Sequence, residues 1–125
     1  MQTTYTTVLA DDVAELRQLV RAVLEDSSRF RVVGEAGDGV AAIAVAEREQ
    51  PDLVLLDVSM PRMDGLEALP LIRAASPGSV VVILSAFEAR ERERRARDLG
   101  AAGYLEKDLP PDALVPALLR LLERE

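Results

Sequence analysis

Apolar residues along this chain fall into two alternating patterns. Short runs rich in β-branched residues and bounded by Asp, Gly or Pro occupy residues 6–10, 30–35, 53–58, 80–84 and 103–106; such runs read as strands. Three of them are apolar at nearly every position, as in a parallel sheet covered on both faces. Between them lie segments with helical spacing. In 13–25, Val13, Leu16, Leu19, Val20, Val23 and Leu24 form one stripe, and 40–48 is mostly alanine around Ile43. A third segment opens after Asp64-Gly65 with Leu66, Leu69 and Ile72, where Pro70 is expected to cost a hydrogen bond or to kink the helix. The fourth, 90–99, is rich in Arg and Glu with little apolar content beyond Ala96 and Leu99, and is expected to dock loosely. The last, 112–124, carries Leu114, Val115, Leu118, Leu119, Leu121 and Leu122, a stripe wider than one packing face requires. Five strands alternating with five helices predict an α/β fold, a doubly wound five-stranded parallel sheet flanked by helices on both faces.

Length and composition narrow the chemistry. The 125 residues suit a single domain over 1–125, with no internal repeat and no linker. There is no cysteine and no histidine, which removes disulfides, thiolate catalysis and the commonest zinc ligands. Any metal is therefore expected to be oxygen-bound: magnesium, manganese or calcium. A formal net charge of −7 argues against direct nucleic-acid binding by this domain and favours cationic partners. No apolar run approaches the roughly 18–20 residues of a membrane helix, and no signal pattern opens the chain, so a soluble, intracellular protein is expected.

In an open α/β sheet, ligands gather at the carboxyl ends of the strands. Asp11 and Asp12 follow the first strand, Asp57 ends the third, Ser85 ends the fourth and Lys107 follows the fifth, so all five side chains are expected at one edge. Three adjacent carboxylates stay ionised only beside compensating positive charge, which a divalent metal and Lys107 would supply. Lys107 is the single lysine against fourteen arginines, consistent with a place that needs a compact point charge, or simply with a surface cation. Asp11 and Asp12 read equally well as helix-capping carboxylates. Ser85 reads also as an ordinary strand-end hydroxyl, and Tyr104 as a half-buried aromatic. Asp57, after four apolar residues, is harder to explain structurally, because a carboxylate ending a buried strand needs a partner. Asp64 is read as a helix N-cap and left outside the site. The stretch Gly34-Glu35-Ala36-Gly37-Asp38-Gly39 lacks the dinucleotide glycine order and reads as a turn. The charges of 90–97 read as a solvated face with same-helix pairs.

The segment Asp57-Val58-Ser59-Met60-Pro61-Arg62-Met63-Asp64-Gly65 is a strand end, a proline-shaped loop and a helix entry. Taken with Asp11-Asp12, Ser85-Ala86 and Tyr104 three places before Lys107, it resembles the receiver domains of bacterial two-component response regulators, over essentially the whole chain. The Leu-Ala-Asp-Asp opening and the Val-Val-Gly-Glu-Ala-Gly-Asp-Gly stretch are most similar to receivers that carry a NarL- or LuxR-type helix-turn-helix output.

The resemblance implies a flavodoxin-like sheet of order 2-1-3-4-5 and a Mg2+ site, with Mn2+ as substitute. Asp57 would be the phosphoacceptor. Asp12 would bind the metal directly, Asp11 mainly through water, and Ser59 through its backbone carbonyl, with Asp57 completing the set. Lys107 would pair with a phosphoryl oxygen, Ser85 would hydrogen-bond the phosphoryl group, and Tyr104 would turn inward as Ser85 moves. Phosphoryl transfer asks a protein mainly to position groups and neutralise charge. The implied protein is a signalling phosphoacceptor in the cytoplasm rather than an enzyme, charged by a sensor histidine kinase. It would switch the face of helix 4, strand 5 and helix 5, which would also serve a homodimer or an output domain, and it would be either a stand-alone receiver or part of a DNA-binding transcriptional regulator. Many receivers place proline after the strand-five lysine; here Asp108 follows, and no cis bond is expected. Phe87 is expected to overhang the phosphoryl group and slow its hydrolysis. Two rivals remain: an aspartyl-phosphate hydrolase of the haloacid dehalogenase type, which expects a second acid where Ser59 stands, and a pseudo-receiver, against which the Asp12, Asp57 and Lys107 set argues.

Overall fold

The structure, a computed structural model, describes residues 2–86 and 90–124. Strands and helices alternate: β1 (Tyr5–Ala10), α1 (Ala14–Asp26), β2 (Phe30–Ala36), α2 (Gly39–Glu49), β3 (Leu53–Leu56), α3 (Gly65–Ala75), β4 (Val80–Ser85), α4 (Arg90–Asp98), β5 (Gly103–Glu106) and α5 (Pro111–Leu122). The strands form one sheet in the order β2-β1-β3-β4-β5, and every neighbouring pair is parallel. The doubly wound parallel sheet is the one the residue pattern predicts, and its order is the flavodoxin-like one that the family resemblance implies.

Alternation along the strands divides the core in two. Val54 and Leu56 of β3 point toward Ala42, Ala46, Leu69, Ile72 and Ala96, the layer of α2, α3 and α4. Leu53 and Leu55 point the other way, toward Val20, Leu24, Leu114 and Leu118 of α1 and α5. All four β3 side chains are buried, which explains why the run shows no polar alternation.

Several local expectations change. β3 stops at Leu56, and Asp57 lies just beyond it while its N–H still donates to the Ala10 carbonyl at 2.9 Å. α3 runs through Pro70 without interruption; the ring is on the exposed side, and the entry is fixed by a capping box between Asp64 and Glu67. Pro116 is likewise accommodated within α5 on an exposed position. On α1, Val20 and Leu24 are buried, but Leu19 is 54 % exposed at the margin of the stripe, and Val13 precedes the helix altogether.

The wide stripe of α5 is largely consumed by packing. Leu114 and Leu118 are buried, and Val115, Leu119, Leu121 and Leu122 are half-buried against the α1 side of the sheet. Leu121 sits on β5 so closely that a Cβ at Gly103 would lie 2.5 Å from its Cδ1. None of the large exposed apolar side chains among the described residues (Val13, Leu19, Val40 and Leu71) belongs to α5. On α4, Ala96 is fully buried, and Arg97 pairs with Glu93 at 3.0 Å within the helix.

The stretch 34–39 is only partly a turn: β2 continues through Ala36, and Asp38 caps α2 by accepting the Ala41 N–H at 2.8 Å. Phe87 lies outside the described residues. Among the described residues no helix is long and apolar enough to cross a membrane.

Candidate functional site

The carboxyl ends of β1, β3 and β5 bring the expected acids and the lysine together. After β1, the Asp11 N–H donates to the Ala36 carbonyl at 3.0 Å, and the Asp11 Oδ1 accepts the Val13 N–H at 2.9 Å. α1 begins only at Ala14, with Val13 at the N-cap position and no side-chain cap. Asp11 and Asp12 therefore do not cap the helix; their carboxylates belong to the strand edge. Asp11 is buried, whereas Asp12 is exposed.

Asp57 is 4 % exposed. Its Oδ1 accepts the Ser59 N–H at 3.3 Å, and Gly65 donates to the Val58 carbonyl at 2.8 Å, which folds the loop back over the strand end. Gly65 is required by space: a Cβ there would lie 2.0 Å from the Asp57 carbonyl oxygen. Lys107 is fixed through its backbone, whose N–H donates to the Ser85 carbonyl at 2.7 Å. Its Nζ reaches back to Asp11 Oδ2 at 2.8 Å and Asp57 Oδ2 at 3.1 Å.

Carboxylate oxygens of Asp11, Asp12 and Asp57 lie within 4.8 Å of one another. Burial raises the Asp57 pKa above its ordinary value; the hydrogen bond from Lys107 opposes this, and the neighbouring Asp11 charge adds to it. Burial alone would pull the Lys107 ammonium down, but hydrogen bonds and Coulomb attraction from Asp11 and Asp57 outweigh it and hold its pKa high. An acid kept reluctantly ionised beside two other acids is a place where a further cation is stabilising. The donor set is all oxygen, which suits a hard divalent cation such as Mg2+.

Ser85 is buried at the end of β4, and Tyr104 is half-buried on the α2, α3 and α4 side of the sheet, paired in register with Ile83. Ser59 is exposed and is tied to Asp57 through its amide.

Residues 7–119 match the response regulator receiver domain family. The chain belongs to this family. Among curated proteins it is 42 % identical over 110 residues to an uncharacterised transcriptional regulatory protein, YxjL, of Bacillus subtilis, covering 88 % of this chain and 50 % of that one. It is 41 % identical over 113 residues to the nitrate/nitrite response regulator NarL of Escherichia coli, covering 90 % of this chain and 52 % of the relative. The chain thus spans about half the length of these regulators. Among solved structures, the signal receiver domain of the response regulator NarL from Mycobacterium tuberculosis superposes with a TM-score of 0.91 at 33 % identity, over 98 % of this chain and 99 % of that one. A LuxR-family two-component response regulator from Aurantimonas gives a TM-score of 0.91 at 29 % identity, over 97 % and 86 % of the two chains.

Membership makes this receiver a signalling module of the kind found in transcriptional regulators, with a histidine kinase as the implied partner. Membership of the receiver family sets the hydrolase alternative aside. Sequence reasoning missed the supports of the receiver pocket. Arg62 adopts φ 65° and its Nε pairs with Asp38 at 2.9 Å, while Gly39 donates to the Met63 carbonyl at 3.0 Å, so the β3–α3 loop leans on the start of α2. The glycines after Asp38 and Asp64 were the available signal, but Gly39 read only as part of a turn and Gly65 only as a helix entry.

Proposed function

We propose that residues 1–125 work as one receiver unit in which Asp57 accepts a phosphoryl group from a sensor histidine kinase or a small phosphodonor. The observation that carries this reading is the Lys107 ammonium, bridging Asp11 and Asp57 beside the Asp12 carboxylate. Asp57 attacks phosphorus through a carboxylate oxygen, the donor leaves with the electron pair of the broken bond, and an acyl phosphate remains. Lys107 then turns from Asp57 to a phosphoryl oxygen. Ser85, at the neighbouring strand end, donates its hydroxyl to the same group, and Tyr104 follows the vacated space.

Asp12, Asp57 and the Ser59 carbonyl would hold Mg2+, or Mn2+ in its place, with Asp11 acting mainly through water. When bound, the metal supplies charge neutralisation between the carboxylates and the incoming phosphoryl oxygens. The oxygen-only donor set and the raised Asp57 pKa support this assignment.

Phosphorylation shifts a pre-existing equilibrium on the α4, β5 and α5 face, through which the receiver contacts a second copy or an output domain. YxjL and NarL, the two curated relatives described above, are transcriptional regulators about half covered by the match, which supports a role in the cytoplasm controlling a DNA-binding output, without nucleic-acid contact by the receiver itself.

Incubation with acetyl phosphate and Mg2+, followed by mass spectrometry, tests the proposal. One phosphoryl group on Asp57, absent with chelator and absent in Asp57→Asn, is expected. An unmodified protein would point to a pseudo-receiver instead.

A further inference from the structure

Asp12, a metal ligand in the proposed reading, has nothing holding its side chain. Among the described residues its carboxylate has no hydrogen bond and no ion pair, so its aim depends on the backbone of the 11–13 turn. That turn has no helix cap to fix it. Four contacts hold it: the Asp11 N–H on Ala36, the Val13 N–H on the Asp11 carboxylate, the Arg17 N–H on the Val13 carbonyl, and a guanidinium N–H of Arg17 on the Asp11 carbonyl. The second of these uses a carboxylate whose other oxygen faces Lys107, a partner that phosphorylation redirects.

Arg17 is itself anchored from the far side. Its Nε pairs with Glu35 on β2 at 2.9 Å, and the second oxygen of Glu35 pairs with Arg21 one turn further along α1 at 3.0 Å. The side chain is only about one-fifth exposed, and its guanidinium spans from Glu35 to the main chain of the acidic turn. Two donors at a fixed angle are what this bridge needs, and a lysine ammonium cannot reproduce them.

We propose that Arg17, braced by Glu35, is a positioning residue for the metal site: it holds the β1–α1 turn in the conformation that presents Asp12 to Mg2+. The proposal rests on the phosphoacceptor reading above and concerns the same pocket.

Charge and geometry predict opposite signs here, which makes the idea testable. Removing a cation beside an acidic site should by Coulomb attraction alone tighten metal binding. Losing the brace should loosen it, by about tenfold, the lower end of the effect expected from a group that orients a metal ligand. The experiment titrates Mn2+ into the whole chain and follows free Mn2+ by electron paramagnetic resonance, for the parent, Arg17→Met and Arg17→Lys, with circular dichroism to confirm folding. Weaker binding in Arg17→Met, only partly restored in Arg17→Lys, is expected. Should Arg17→Met fail to fold, Arg17→Lys, which keeps the charge and loses the fork, gives the answer alone. Variants that bind Mn2+ as tightly as the parent, or more tightly, overturn the role of Arg17. A parent that binds no Mn2+ refutes the proposal and the phosphoacceptor reading together, so the two failures are told apart.

Discussion

The Nζ of Lys107 stands 3.1 Å from Asp57 and 2.8 Å from Asp11, so one ammonium serves two buried carboxylates from different strand ends. The ammonium compensates the repulsion between the two acids, and it is also the group best placed to follow a phosphoryl oxygen arriving at Asp57. These two roles have separable consequences.

Replacing Lys107 by Met leaves three clustered acids without a fixed cation. In chelator, Lys107→Met should lose about 3 kcal/mol of stability, as expected when one partner of a buried ion pair is removed. Added Mg2+ should then raise its melting temperature more than it raises that of the parent, because the metal supplies the missing charge. Urea and thermal melts with and without Mg2+ measure both effects.

Asp57→Asn has the opposite sign. The carboxyl pKa of Asp57 is raised in the folded protein, chiefly by burial. Its ionisation therefore costs stability at neutral pH, and that cost fades as pH falls through the raised folded value toward the unfolded one. Asp57→Asn should therefore stabilise the metal-free receiver at pH 7, where the wild-type carboxylate is ionised at a cost. It should also flatten the rise in stability toward acid, and it should reduce the stabilisation by Mg2+. Melting curves between neutral and mildly acidic pH, in chelator, test the sign directly.

Gly65→Ala should be severe for a different reason. The added methyl would meet the Asp57 carbonyl oxygen at 2.0 Å, and backbone cannot move aside as a flexible side chain can. A loss of about 3 kcal/mol is expected from overpacking, with weaker phosphorylation in whatever fraction stays folded. Chemical denaturation gives the first number and phosphoryl incorporation the second.

Arg62→Gly should not lower global stability, although it removes a support of the β3–α3 loop. Arg62 sits at φ 65°, where a side chain costs roughly 1–2 kcal/mol. Its ion pair with Asp38 is exposed on the arginine side and offsets only a few tenths of a kcal/mol. Arg62→Gly is therefore expected to keep or raise the denaturation midpoint, whereas the β-branched Arg62→Val should lower it.

The fold was readable because five short strand runs, three of them apolar at nearly every position, alternate with segments of helical spacing. The four charged members of the pocket were readable because each follows a strand, and strand ends in this topology share an edge. Packing against close neighbours was less visible. Nothing in the spacing of α5 says that Leu121 lies on Gly103, and so the stripe looked like spare surface. The supports of the site were hidden for a related reason: Arg17 and Arg62 are ordinary surface letters until the turns they hold are seen in three dimensions.

The most direct test of the shared pocket is fluorine NMR of the protein with beryllofluoride, a mimic of the phosphoryl group. A bound signal that requires Mg2+, disappears in Asp57→Asn and weakens in Lys107→Met is the predicted result. A bound signal that survives in Asp57→Asn, or no bound signal with Mg2+ present, would contradict the account.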